Sequence, residues 1–408
     1  MTDLPRTLAR LYERVPRGAL LGLDRVQSAA ARLGDVHVLD RYVHIAGTNG
    51  KGSTAAFVAT MADRAGLKVG LYTSPHLCRL AERIQIGGRP IGDAELASVL
   101  SRVMDRPDEL TVFEVVTLAG LLAFREANVD LAVLEVGLGG RLDATNVVEG
   151  SAITAITRIA FDHTDRLGNT LAEIAGEKAG ILRAGQPVVV GRLHPDARAV
   201  VDARAAELGS PVVESNGERE ALLVESHPPS LGGAFQRQNA LLAVTIGREL
   251  GLTPAKMAEG LTTTRWPGRC EILETAEGYV LFDCAHNADG ALALKNAMLG
   301  LSNNFTRRNI GLVFGAMSDK GWKAMLDRVT QVTGPRIYVE PEGRTPVSVD
   351  DLSGYLEGMK ARSVPEALIS MRQKVGRNGI IVVTGSTYLV GAARAFLLGL
   401  PCDPPVAL

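Results

Sequence analysis

Short apolar runs alternate with helix-length amphipathic stretches through the first part of the chain. VHIAG, KVGLYTSP, DLAVLEVGLGG, SAITAITRIAFDH and QPVVVG are rich in aliphatic and β-branched residues and break at glycine, proline or small polar residues, which predicts strands. After the first of them STAAFVATMADRAG, small and apolar, predicts a helix. Alternation of this kind implies parallel strands joined by crossover helices. A second series, GYVLFDCAHN, NIGLVFGAMSDKG, RIYVEPEG and GIIVVTGSTYLVG, begins beyond TTTRWPGRCEIL and predicts a smaller α/β unit. The expected division is therefore a first domain over residues 1–265, a linker at 266–269 with Trp266-Pro267-Gly268 as hinge, and a second domain over 270–408. Ligands of open parallel sheets bind where strands end in loops, so functional groups are sought there.

Composition narrows the class. A chain of 408 residues is long for one core, which supports two domains, and 46% hydrophobic with 22% charged residues and a net charge of −1 describes an ordinary globular protein. That balance carries no basic excess for nucleic acid. The N-terminus has no apolar core of signal-peptide length and no uncharged apolar run reaches about 18 residues, so neither membrane nor export is expected, and a cytoplasmic location is. Cys78, Cys270, Cys284 and Cys402 are far apart and form no C-x-x-C pair, which reads as reduced thiols.

The chemistry starts at HIAGTNGKGSTAAF. A predicted strand gives way to Gly47, Thr48, Asn49, Gly50, Lys51 and Gly52, then a helix. Bare backbone N–H groups, a helix N-terminus and a mobile lysine together suit a triphosphate; the plain alternative is a glycine-rich turn. The usual phosphate loop has Ser or Thr directly after Gly-Lys, whereas Gly52 stands there and Ser53 and Thr54 follow, so magnesium ligation moves elsewhere. Ser74 in YTSPH, Glu135 closing LAVLEVG and His163 in DHTDRLG are candidate ligands at other strand ends. Taken singly, each reads as well as a solvated end or a structural residue. Lys178, on the stretch EIAGEKAGILRAG, reads alone as a surface helical lysine. GGRLDATNVV suits a binding loop or a connector. FDCAHNADGA places Asp283, His286 and Asn287 at a strand end, and GRCEIL offers Arg269 beside the hinge.

These words together resemble the folylpolyglutamate synthase and dihydrofolate synthase family, a branch of the Mur ligases. GTNGKGS, YTSPHL, FEVVTLA, LEVGLGGRLDATN, DHTDRLG, EKAGI, PGR, DCAHN and VVTGSTYLVG carry the resemblance almost end to end. It accounts for the displaced hydroxyl, since glycine after the lysine is this family's form of the loop. The fold it implies is α/β: an N-terminal P-loop, Mur-ligase-like ATPase domain with a mostly parallel sheet, and a smaller C-terminal Rossmann-like domain. The activity it implies is ATP-dependent amide formation, with L-glutamate added to dihydropteroate and to tetrahydrofolate through an acyl phosphate.

The resemblance also implies roles. Gly47 to Ser53, Asn239, Arg269, Asp283 and His286 would contact ATP; Ser74, Glu135, His163 and a carbamoylated Lys178 would hold magnesium. Lys51, Glu135, His163 and Lys178 would be the catalytic set. Leu21, Thr111, Phe113, Asp143 and Ala144 would receive the pterin, Asp143 at its donor edge and Phe113 stacked on its ring. GGRLDATN favours a bifunctional enzyme, whereas GSTYLVG resembles the folylpolyglutamate-only members, and Cys284 stands where Gly or Val is usual. Small molecules are the expected partners and a monomer the expected state. A peptidoglycan ligase would follow Gly-Lys with Thr; a switch or transporter ATPase would end its catalytic strand in Asp; a non-catalytic relative would have lost Lys51, Glu135 or His163.

Overall fold

A computed structural model describes residues 3–14, 22–105, 109–301, 309–343 and 345–404. The first eight strands, β1 (Val38–Ala46), β2 (Val69–Tyr72), β3 (Ile84–Ile86), β4 (Arg89–Pro90), β5 (Leu131–Glu135), β6 (Glu149–Ile156), β7 (Val188–Val190) and β8 (Val212–Glu214), form one sheet in the order β4-β3-β2-β5-β1-β6-β7-β8. From β2 to β8 across this order every pairing is parallel; β3 and β4 add an antiparallel edge. The second sheet contains β9 (Glu271–Thr275), β10 (Gly278–Asp283), β11 (Ile310–Phe314), β12 (Arg336–Tyr338), β13 (Met359–Lys360) and β14 (Ile380–Thr384), ordered β13-β12-β11-β14-β10-β9 and parallel except for β9. The expected α/β architecture with two mostly parallel sheets is what the chain forms.

Strands β5, β7, β11 and β14 are buried along their whole length, because helices cover both faces of each sheet. One face of the first sheet packs Tyr42, Tyr72 and Leu134 against the helix Val112–Ala127; the other packs Val43, Ile45 and Val133 against the helices Lys51–Arg64, Ala234–Glu249 and Pro254–Thr263. Register sets the strand ends level: Ile45 pairs with Glu135, Ala46 with Ile156, and Asp283 and Phe314 both with Thr384. The loops that leave these ends therefore open together.

The strands that the apolar pattern did not announce are β3, β4, β8, β9 and β13, all at or next to a sheet edge. They are two to five residues long and partly or fully exposed, and Pro90 sits in β4, where a missing N–H costs nothing. Among the described residues no helix is long and apolar enough to cross a membrane.

Candidate active site

The glycine loop leaves β1 and turns into the helix Lys51–Arg64. Gly47 and Gly50 take φ of 152° and 92°, and a β-carbon would overlap Thr157 Oγ1 at the first and Asn239 Oδ1 at the second, so both positions need glycine. Thr157 Oγ1 donates to Asn49 O (2.8 Å), Thr48 N to Arg158 O (2.7 Å) and Thr48 Oγ1 to Ala160 O (3.0 Å), which ties the loop to the segment after β6. The first-turn N–H groups of the helix are the ones its geometry leaves for an anion. Lys51 Nζ folds back to donate to Thr48 O (3.2 Å); burial pulls its pKa down, opposed by Glu135 and Asp162.

Gly52 has a structural reason of its own. A β-carbon there would stand 3.2 Å from both Glu135 Oε2 and Trp266 Nε1. The first turn of the helix thus lies against the carboxylate that closes β5, and a side chain would displace it. Glu135 accepts from Ser74 N (3.1 Å) and is 5% exposed; burial raises its pKa, and Lys51, the Ser74 N–H and Arg269 offset the rise. Ser53 Oγ accepts from Gln236 Nε2 (3.1 Å), whose Oε1 accepts from Asn239 Nδ2 (2.8 Å), so Asn239 borders the loop directly.

His163, at φ 49°, starts the short helix Thr164–Leu167. Its Nε2 accepts from Lys320 Nζ (3.0 Å), which also donates to Asp162 Oδ1 (2.7 Å). Burial first, then the Lys320 charge, pulls His163 down to about 4, so the imidazole is neutral and its Nε2 lone pair is the one that Lys320 engages. Burial pushes Asp162 up, but His286, Lys320 and His163 together hold it well below the usual carboxylate range. Lys178 departs from the surface lysine its sequence suggests: the helix Leu171–Ala179 packs its C-terminal turn inward, leaving the side chain 3% exposed with Nζ donating to Gly47 O (2.9 Å). Burial and then the charge of Lys51 lower its pKa to about 7.

The second sheet reaches these groups from the ends of β10 and β11. Asn49 and Asn287 exchange amide hydrogen bonds (3.0 and 3.1 Å), Asn287 Nδ2 also donates to Asp162 Oδ2 (3.0 Å), and Asp289 accepts from Asn49 Nδ2 (2.9 Å) and from Arg158 (2.6 to 2.8 Å). His286 Nδ1 donates to Cys284 O (2.9 Å), leaving Nε2 3.6 Å from Asp162 Oδ2. Asp283 is buried, pushed up by that burial, and accepts from Cys270 N (2.9 Å) and Ala285 N (3.0 Å), which fastens the start of β9 to the end of β10 with Arg269 beside it. Asp162, Arg158, Gln236, Asp289 and Lys320 escaped the sequence reading. All but Gln236, which lies on the helix Ala234–Glu249, fall inside a quoted strand-end word, so position was the available signal, but their pairings span up to 240 residues of chain.

A second group forms at the other side of β5. Thr111 caps the helix Val112–Ala127, reciprocated by Glu114; Phe113 lies so close to Gly137 that a β-carbon there would meet its ring at 2.5 Å; Ala144 is buried beside them. Asp143 accepts from Thr145 N (3.0 Å), Thr145 Oγ1 (2.5 Å), Leu138 N (2.8 Å) and the Gly137 N–H. Four donors fill the capacity of a carboxylate. Asp143 therefore staples its own loop, and its edge is already occupied. Leu21 lies outside the described residues.

A metal needs oxygen and nitrogen donors. Among the described residues no three His, Cys, Asp or Glu gather into a cage. Ser74 N–H bonds Glu135, and the charge of Lys51 acts on both Glu135 and His163, so a hydroxyl, a carboxylate and an imidazole of the kinds magnesium takes border the lysine of the loop. The ammonium of Lys320 between Asp162 and His163 shows that this spot accepts positive charge.

Residues 45–226 match the Mur ligase middle domain. Over 411 aligned residues the chain is 35% identical to the folylpolyglutamate synthase of Lacticaseibacillus casei, covering 92% of this chain and 94% of that one. The chain belongs to the folylpolyglutamate synthase and dihydrofolate synthase family. Two solved members agree in fold. The bifunctional folylpolyglutamate synthase/dihydrofolate synthase of Yersinia pestis, complexed with AMPPNP and Mn ion, superposes with a TM-score of 0.87 at 32% identity, covering 98% of each chain. The Escherichia coli enzyme in complex with DHPP and ADP gives 0.85 at 29% identity, covering 97% of this chain and 98% of that one. Folylpolyglutamate and dihydrofolate synthases are ATP-dependent ligases that add glutamate in folate metabolism and use a divalent cation; this chain is one of them.

Proposed function

We propose that the enzyme is bifunctional, adding L-glutamate to dihydropteroate and to reduced folates. ATP binds with its phosphates on residues 47–53. Lys51 sits where charge accumulates as the γ-phosphoryl group moves to the acceptor's carboxylate, which is a poor electrophile until it carries a leaving group. The amine of glutamate then attacks the acyl phosphate, the tetrahedral intermediate collapses, and phosphate departs with the carboxylate oxygen. Magnesium, held by Ser74, Glu135 and His163, would offset phosphate charge. Asn239, Arg269, Asp283 and His286 border the nucleotide, and the linker at 266–269 lets the two domains close on it.

Lys178 acts as a carbamate: an amine with a pKa near 7 has the neutral form that takes up carbon dioxide, and adjacent cations favour the anion formed. For the pterin, Phe113 offers its ring beside Thr111 and Ala144, Leu21 is a further pterin residue by family resemblance alone, and Asp143 contributes by holding the 137–145 loop in shape. We take the enzyme to be a cytoplasmic monomer. The observation that carries the reading is the packing of the helix that follows the glycine loop against Glu135 at Gly52, with Asn49 bonded to Asn287 of the second sheet. Supplying ATP and glutamate with dihydropteroate and with tetrahydrofolate in separate reactions tests it: both acceptors gain one glutamate with ADP release. Product from tetrahydrofolate alone makes the enzyme a monofunctional folylpolyglutamate synthase, and product from neither rejects the reading.

A further inference from the structure

Away from the nucleotide loop, two thiols meet where the C-terminal tail crosses back onto the first sheet. Cys78 lies in the segment that leaves β2 through Ser74, and Cys402 in the tail beyond the helix Thr387–Leu398. Asp403 fixes the tail: its N–H donates to Cys78 O (2.9 Å), and its carboxylate accepts from Leu80 N (2.6 Å) with Arg79 Nε 3.9 Å away. Fixed bond lengths on either side of that backbone bond keep the α-carbons of residues 78 and 402 within roughly 8 Å, next to the ~4.4–6.8 Å that disulfides span. The side chains converge as well. Cys78 Sγ donates to Gly391 O (3.3 Å), and the Cys402 thiol is within hydrogen-bonding reach of it. The interface around them is close: a β-carbon at Gly391 would overlap Leu77 O. Cys402 is exposed, while Cys78 is 6% exposed, and burial pushes its thiol up, so solvent oxidants meet Cys402 first.

We propose that Cys78 and Cys402 are a disulfide-forming modification site whose oxidant is a small-molecule disulfide such as oxidised glutathione. The Cys402 thiolate attacks one sulfur of the oxidant, the oxidant's S–S bond breaks, and one thiol leaves. Cys78 then attacks the Cys402 sulfur of the mixed disulfide, and the second thiol leaves with the proton that Cys78 gives up. Two protein thiols are oxidised and one disulfide is reduced to two thiols. The bond ties the tail of the second sheet's domain to the loop that carries Ser74 on the first, and so latches the two together.

The test is incubation of the full chain with oxidised glutathione, followed by intact mass and non-reducing peptide mapping. Wild type is expected to lose two hydrogens, to retain no glutathione, and to yield a linked peptide pair holding residues 78 and 402, with a raised thermal midpoint that dithiothreitol reverses. Cys78→Ala is expected to keep one glutathione on Cys402. Cys402→Ser, an exposed change that leaves folding and the reduced enzyme's rate intact, is expected to show neither crosslink nor midpoint shift. A lasting glutathione adduct on wild-type Cys402, or no reaction of wild type, overturns the proposal. Because the readout is mass, the result is independent of the ligase reading.

Discussion

Replacing Gly52 by threonine restores the ordinary phosphate-loop word and should damage this enzyme. The added β-carbon would lie 3.2 Å from Glu135 Oε2 and 3.2 Å from Trp266 Nε1, before the hydroxyl and methyl are placed. Glu135 has little room to yield, since it is buried and held by Ser74 N at 3.1 Å. Forcing extra atoms into a packed site costs about 1–3 kcal/mol. If that cost falls on the geometry of Glu135 and Ser74, binding of the magnesium–nucleotide complex weakens roughly 5- to 150-fold, at a factor of ten per 1.4 kcal/mol. Gly52→Ala separates this effect from stability. It adds the clashing β-carbon, yet in a helix alanine is favoured over glycine by about 1 kcal/mol, so its thermal midpoint should hold or rise while its affinity falls. Calorimetric titration with a non-hydrolysable ATP analogue and magnesium, beside thermal unfolding, reads both quantities. A folded Gly52→Thr variant with undiminished affinity would refute the idea that glycine is there to admit Glu135.

Three further outcomes follow from the same geometry. Lys178→Ala should lower turnover ~10- to 100-fold, as loss of a group supporting a metal site does, and a short carboxylic acid in solution should restore part of the rate; full activity without it removes the carbamate. Asp143→Ala releases four donors, so about 1–3 kcal/mol of stability should be lost in urea unfolding, and KM should rise for both acceptors; a rise confined to dihydropteroate would show direct pterin contact instead. Burial lowers His44 from 6.5 to about 3, so the folded chain binds fewer protons than the unfolded one between those values. Its contribution is whole above pH 6.5 and is lost as pH falls towards 3. Near pH 5 the loss is about 2 kcal/mol, and His44→Gln should remove that part of the acid limb; an unchanged limb would show that His44 does not titrate this way.

The long buried strands were legible in the sequence because parallel strands covered on both faces must be continuous apolar runs, as LAVLE and IIVVT are. Edge strands such as Glu271–Thr275, with alternating partial exposure, carry no such run. Strand-end position was enough to single out Ser74, Glu135, His163 and Asp283. It could not reveal that Lys320 meets Asp162, or that Asn49 meets Asn287 at a separation of 238 residues, because those contacts depend on how the two sheets face each other. Lys178 shows the opposite limit. A lysine near the end of an amphipathic helix gives no sign of burial, and only the packing of that helix under Gly47 does.

The most direct test of the mechanism is the fate of one oxygen atom. Dihydropteroate carrying a heavy-oxygen label in its carboxylate is incubated with ATP, magnesium, glutamate and the enzyme, and the released phosphate and the pteroyl product are weighed by mass spectrometry. An acyl phosphate formed at this site predicts dihydrofolate and, for each turnover of fully labelled acceptor, one labelled oxygen in inorganic phosphate. Dihydrofolate formed while both labelled oxygens stay out of the phosphate would contradict the account.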